Sequence, residues 1–197
     1  ALKVMTGSGQ AVERFAQEIA VLRGLSHPGI VGYRAHGWTD EPRPYLAMEW
    51  LAGEELSARL AAGPLSVAES LTIAERVASA LAAAHAQGIV HRDIKPSNLF
   101  LVDGKVERIK VLDFGVARLS GGKGPKTQTG LLVGTPGYLA PEQARGSKDV
   151  DARADLFSLG CVLHECLSGT APFAGDHLMA VLAKILFDEA PRLRSLR

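Results

Sequence analysis

The stretch "HRDIKPSN" at residues 91–98 places an acid, Asp93, between two fixed cations, Arg92 and Lys95, and closes on the terminal amide of Asn98. Acid, ammonium and amide are the types that move protons and neutralise charge. Asp, Pro, Ser and Asn are also turn formers, so the stretch alone reads equally well as a surface turn. Two further patterns lie downstream. "DFG" at 113–115 supplies a second isolated acid, Asp113, and "APE" at 140–142 supplies Glu142. Their joint occurrence by chance in one chain is rare.

The elements that must position these residues can be read from periodicity. "ALKVM" is a short strand, and residues 10–25 form a helix with Phe15, Ile19 and Leu22 on one face. Two strands follow, "GIVGYRAHGW" and "RPYLAMEWL", then a helical stretch from Glu54 to Ala62. A longer helix runs from Ser66 to His85, with Ser66 and Glu69 spaced as a capping box and Gly88 beyond its end. "NLFLV" and "VERIKVL" flank "DGK" as a hairpin, a buried helix is expected at "DLFSLGCVLHECL", and the last helix lies near "DHLMAVLAKIL". Strands cluster early and helices late, an α+β pattern with a boundary near Leu51–Glu54.

Composition sets the frame. The chain has 197 residues, 47% hydrophobic and 22% charged, with a net charge of +1, which gives no nucleic-acid or membrane footprint. No apolar run reaches the roughly 18 residues of a membrane span. Cys161 and Cys166 on one helix stand about 8–9 Å apart, too far for a disulfide, so reduced thiols and a cytosolic setting are expected. The six histidines show no metal-ligand spacing.

Taken together, "HRDIKPSN", "DFG" and "APE" resemble the signature set of the protein kinases, in the eukaryotic-like serine/threonine family. "GTPGYLAPEQARG" and "HPGIV" are most similar to its bacterial members. The resemblance spans essentially the whole chain. It implies a two-lobed kinase-like fold, with a partial β-rich N-lobe over residues 1–51 and a partial, larger helical C-lobe over 52–197, together one domain incomplete at both ends. Gly7 and Gly9 follow the strand lysine and do not precede it, so they read as a connector and not as the family's glycine-rich loop.

The resemblance also implies roles. Asp93 orients the substrate hydroxyl and accepts its proton, and Lys95 offsets charge on the transferring phosphoryl group. Asn98 and Asp113 hold magnesium through oxygen. Lys3 holds the α- and β-phosphates of ATP and pairs with a helix glutamate, Glu18 being the best match and Glu13 the rival. Ala1, Met48, the backbone of Glu49 and Leu51, and Phe100 match the adenine pocket. His91 and Phe114 read as packing residues. Asp155 matches a buried helix aspartate that accepts N–H groups from the catalytic loop, or else simply stabilises a helix N-terminus. Thr135 hydrogen-bonds Asp93 and Lys95. Arg92 beside Asp93 goes with activation by phosphorylation, for which Thr127 and Thr129 are candidate acceptors.

The expected activity is transfer of the ATP γ-phosphoryl group to serine or threonine hydroxyls of protein substrates, the chain itself among them. The expected location is the cytoplasm, or the cytosolic part of a membrane-anchored protein. Two other readings are weighed against it. A small-molecule phosphotransferase would share the acidic loop but would not need "APE" or "GTPGY". A catalytically silent binding module, truncated or pseudokinase-like, is opposed as to loss by mutation by the intact Lys3, Asp93, Asn98 and Asp113, and favoured as to loss by truncation by the ends that the resemblance leaves missing.

Overall fold

The first long helix, α1 (Gln10–Gly24), turns the face predicted from its periodicity toward the core, where Phe15, Ile19 and Leu22 are all buried. Burial of each such side chain contributes about 1.5–3 kcal/mol. In the computed structural model, residues 1–5, 10–41, 43–114, 136–147 and 149–195 are described. Helix α1 packs on an antiparallel sheet of β1 (Leu2–Val4), β2 (Tyr33–Trp38) and β3 (Pro44–Met48), in the order β1-β3-β2. Lys3 stands opposite Leu46 in the central strand.

A second antiparallel sheet combines β4 (Gly53–Glu55), β5 (Leu99–Val102) and β6 (Ile109–Val111). The helices are α2 (Leu56–Ala61), α3 (Val67–His85), α4 (Pro141–Ala144), α5 (Ala152–Ser168) and α6 (Leu178–Phe187). Helix α3 starts on the expected capping box, with Ser66 and Glu69 satisfying each other's backbone N–H groups. It packs against α5 and β6, and Ile73, Val77, Ala80, Leu81 and Ala84 are among its buried residues. Both cysteines are buried in α5, and burial pushes each thiol up to about 12.

Three local expectations need correction. Glu54 and Glu55 begin no helix; they pair with Leu101 and Phe100 in β4, and α2 starts only at Leu56. Val106–Arg108 form a 3-10 turn, so β6 is shorter than the apolar run suggests. Glu142, which the family resemblance implies to be a buried carboxylate, is half-buried and not sealed in the core. Gly53 explains the first of these. Its φ is 140°, and a Cβ there would lie 2.0 Å from the Leu101 carbonyl oxygen, so only glycine lets the chain turn into the sheet at this point. Among the described residues, no helix is long and apolar enough to cross a membrane.

Candidate active site

The hairpin of β5 and β6 fixes two acids' neighbourhoods at once. The Leu112 N–H donates to the Asn98 carbonyl at 2.8 Å, so Asn98 and Asp113 are held at the same end of the hairpin. The Leu112 carbonyl accepts from His91 Nε2 at 2.8 Å, and His91 Nδ1 accepts from the Asp93 N–H at 3.2 Å. His91 is fully buried, with its ring centroid 4.8 Å from that of Phe114. One imidazole thus ties the loop carrying Asp93 to the strand leading to Asp113. Burial holds its pKa below the ordinary histidine value, the neighbouring acids notwithstanding. A neutral ring with Nε2–H donating and Nδ1 accepting is the tautomer that satisfies both bonds.

Asp93 sits in a cluster of donors. Lys95 Nζ lies 2.8 Å from its Oδ2, and Asn98 Nδ2 donates to the same oxygen at 3.0 Å and to the Asp93 carbonyl at 2.7 Å. Asp93 keeps 41% of its side-chain surface exposed, so the acid is held in place yet open to a reactant.

Lys3 joins the two sheets' ends of the site. Its Nζ lies 2.6 Å from Glu18 Oε1 and 3.1 Å from Asp113 Oδ1. Burial alone would lower the Lys3 pKa, but the hydrogen bond to Glu18 and the charges of Asp113 and Glu18 outweigh it, and the net shift is upward. Lys3 is therefore an ammonium at any physiological pH. Asp113 has φ of 43°, an uncommon backbone state for a non-glycine residue.

Beneath the loop, Asp155 is fully buried in the first turn of α5. It accepts from the N–H groups of His91 (2.8 Å) and Arg92 (2.7 Å) and from His85 Nε2 (2.7 Å). Both of its sequence readings thus hold together: it lies in a helix's first turn, and it anchors the loop.

Around the strand crossover, the Met48 N–H donates to the Ala1 carbonyl at 2.8 Å, which sets Ala1 beside Met48. Leu51 is half-buried against the core, and Phe100 on β5 stands between Glu55 and Lys110 of the flanking strands. Sequence reasoning gave Glu49 only a backbone role. Its carboxylate accepts from Lys110 Nζ at 2.6 Å and from the Gly32 N–H at 2.7 Å. Burial pushes the Glu49 pKa up, and these two donors more than reverse it, leaving it below the ordinary range. Lys110, a charge in an apolar strand three residues before Asp113, was the available signal. Thr127, Thr129 and Thr135, with Gly7 and Gly9, lie outside the described residues.

Asn98 and Asp113 offer an amide oxygen and a carboxylate, a donor set suited to a hard divalent cation. No group of three or more His, Cys, Asp or Glu side chains able to hold a metal occurs among the described residues. A pair of protein oxygens fits magnesium, which keeps waters and takes phosphate oxygens for its remaining positions.

Comparison with known proteins agrees with this geometry. The model of the protein kinase domain matches residues 1–193. The chain is 45% identical to serine/threonine-protein kinase Pkn1 of Myxococcus xanthus, over 88% of this chain and 25% of that protein. It is 42% identical to serine/threonine-protein kinase PknB of Mycolicibacterium smegmatis, over 85% of this chain and 27% of that protein. For serine/threonine-protein kinase PknA of Mycobacterium tuberculosis the figures are 40%, 92% and 42%. The chain thus spans about a quarter to two fifths of the length of these relatives. Among solved structures, Rad53 residues 1–466 in complex with AMP-PNP superposes with a TM-score of 0.74 at 26% identity, over 94% of this chain and 45% of that one. With the α+β fold, the acidic loop and a domain match over nearly its whole length, the chain belongs to the protein kinase domain family.

Proposed function

We propose that this chain transfers the γ-phosphoryl group of ATP to serine and threonine hydroxyls of proteins, with magnesium. The observation that carries the reading is the pair of adjoining clusters, Glu18–Lys3–Asp113 and Lys95–Asp93–Asn98. The relatives' names and the nucleotide analogue in the Rad53 complex support it.

Lys3, oriented by Glu18, holds the α- and β-phosphates. Ala1, Met48, Leu51 and Phe100 enclose the adenine, and the backbone of Glu49 hydrogen-bonds it. Asn98 and Asp113 would hold magnesium, which supplies neutralisation of phosphate charge when bound. Asp93 accepts the proton of the substrate hydroxyl, and Lys95 moves from Asp93 to the transferring group as charge builds there. Thr135 steadies Asp93 and Lys95. Phosphorylation of Thr127 or Thr129, by a second copy of the protein among other sources, brings about −1.5 to −2 charges toward Arg92 and switches the site on. Residues 1–51 and 52–197 act as two lobes of one unit, working in the cytoplasm. The test is phosphoamino-acid analysis after incubating the native protein with labelled Mg-ATP and a basic protein substrate. Label on serine and threonine is expected; label on tyrosine alone, or none, overturns the reading.

A further inference from the structure

Arg92, immediately before Asp93, has φ of 66°, a left-handed conformation that a non-glycine residue keeps only where its surroundings impose it. Its N–H is held by Asp155 Oδ1 at 2.7 Å. Its carbonyl, which belongs to the peptide plane leading into Asp93, accepts from Gln143 Nε2 at 2.9 Å. The N–H of that same plane donates to His91 Nδ1. The peptide plane that aims Asp93 is therefore pinned at its oxygen by Gln143 and at its nitrogen by His91.

The other end of the Gln143 amide has a separate task. Its Oε1 accepts from the Ala140 N–H at 3.1 Å and closes the first turn of α4. Ala140 has no side-chain oxygen to cap that turn itself. One side chain thus spans 51 residues of sequence with a donor on the loop and an acceptor on the helix.

We propose that Gln143 is a positioning residue for Asp93, linking the placement of α4 to the orientation of the loop. This rests on the phosphoryl-transfer reading above. Activity then follows the donor end of the amide, and stability of α4 follows the acceptor end. Two reciprocal substitutions separate them. Gln143→Glu keeps an oxygen for the Ala140 N–H and removes the donor to Arg92. Gln143→Lys keeps a donor and removes the acceptor.

The experiment measures kcat, KM for ATP, melting temperature and amide hydrogen exchange at Asp93 in the native protein and both variants. Gln143→Glu is expected to melt like the parent, lose about 10-fold or more in kcat, change KM for ATP less than about twofold, and exchange faster at Asp93, since small misplacement of a reacting group costs on the order of 10–10² in rate. Gln143→Lys is expected to melt lower and keep most of its kcat. Gln143→Glu turning over like the parent with Asp93 still protected overturns the proposal, as does kcat falling with melting temperature in both variants. A parent without transfer activity counts against the kinase reading itself; exchange at Asp93 still decides the link, because it needs no turnover.

Discussion

Glu18 on α1 and Lys3 on β1 are fifteen residues apart in the chain and 2.6 Å apart in space. The pairing needs α1 to pack on the sheet with one rotation about its axis, which the burial of Phe15, Ile19 and Leu22 imposes. The apolar face of one helix thereby sets the charge beside the ammonium expected to hold phosphate.

Glu18→Gln removes that charge while leaving the apolar face intact. ATP affinity is expected to weaken about 10-fold, the worth of one charge-assisted contact, with melting temperature nearly unchanged. Titration of nucleotide binding checks this, and Glu13→Gln is the control expected to bind like the parent.

Buried His91 gives a pH signature. Its folded pKa lies below its unfolded value, so the neutral ring's contribution is complete above about pH 6.5. It is lost as pH falls from there toward the folded value, because only the unfolded chain takes up the proton. NMR of labelled histidine is expected to find His91 still neutral at pH 6, and a protonated ring there contradicts the assignment.

Lys110→Met strips Glu49 of its cation and leaves the Gly32 N–H. At pH 7 the cost is expected at about 1–2 kcal/mol, between exposed and buried pairs. Glu49 has a lowered folded pKa, so its contribution is present above the ordinary carboxylate range and disappears as pH falls through the folded value. The difference in stability between parent and variant therefore shrinks from pH 7 to pH 3. Denaturant unfolding at several pH values measures it.

Local signals were legible in the sequence and distant ones were not. The capping box from Ser66 to Glu69 is four residues long and was readable at sight. The acids, Lys3 and Glu18 came from the family pattern. Strand β4 has three residues, too few to show a period, and only Gly53's steric need betrays it. The bonds of Glu49 to Lys110 and of Gln143 to Arg92 join residues 61 and 51 positions apart. Beyond the charge of Lys110 within an apolar strand, nothing local announces such pairs, since Glu49, Gln143 and Arg92 each look alone like ordinary polar surface residues.

Asp93→Asn tests the central claim most directly. The amide keeps the shape of the loop but, on the proposed reading, cannot take the hydroxyl proton, and Lys3 and Asp113 are expected to hold the nucleotide still. Measured in the native protein, Mg-ATP binding is expected to stay within about twofold of the parent, and phosphoryl transfer to fall by a factor on the order of 10² or more. Transfer at the parent rate, or loss of nucleotide binding together with transfer, contradicts the account.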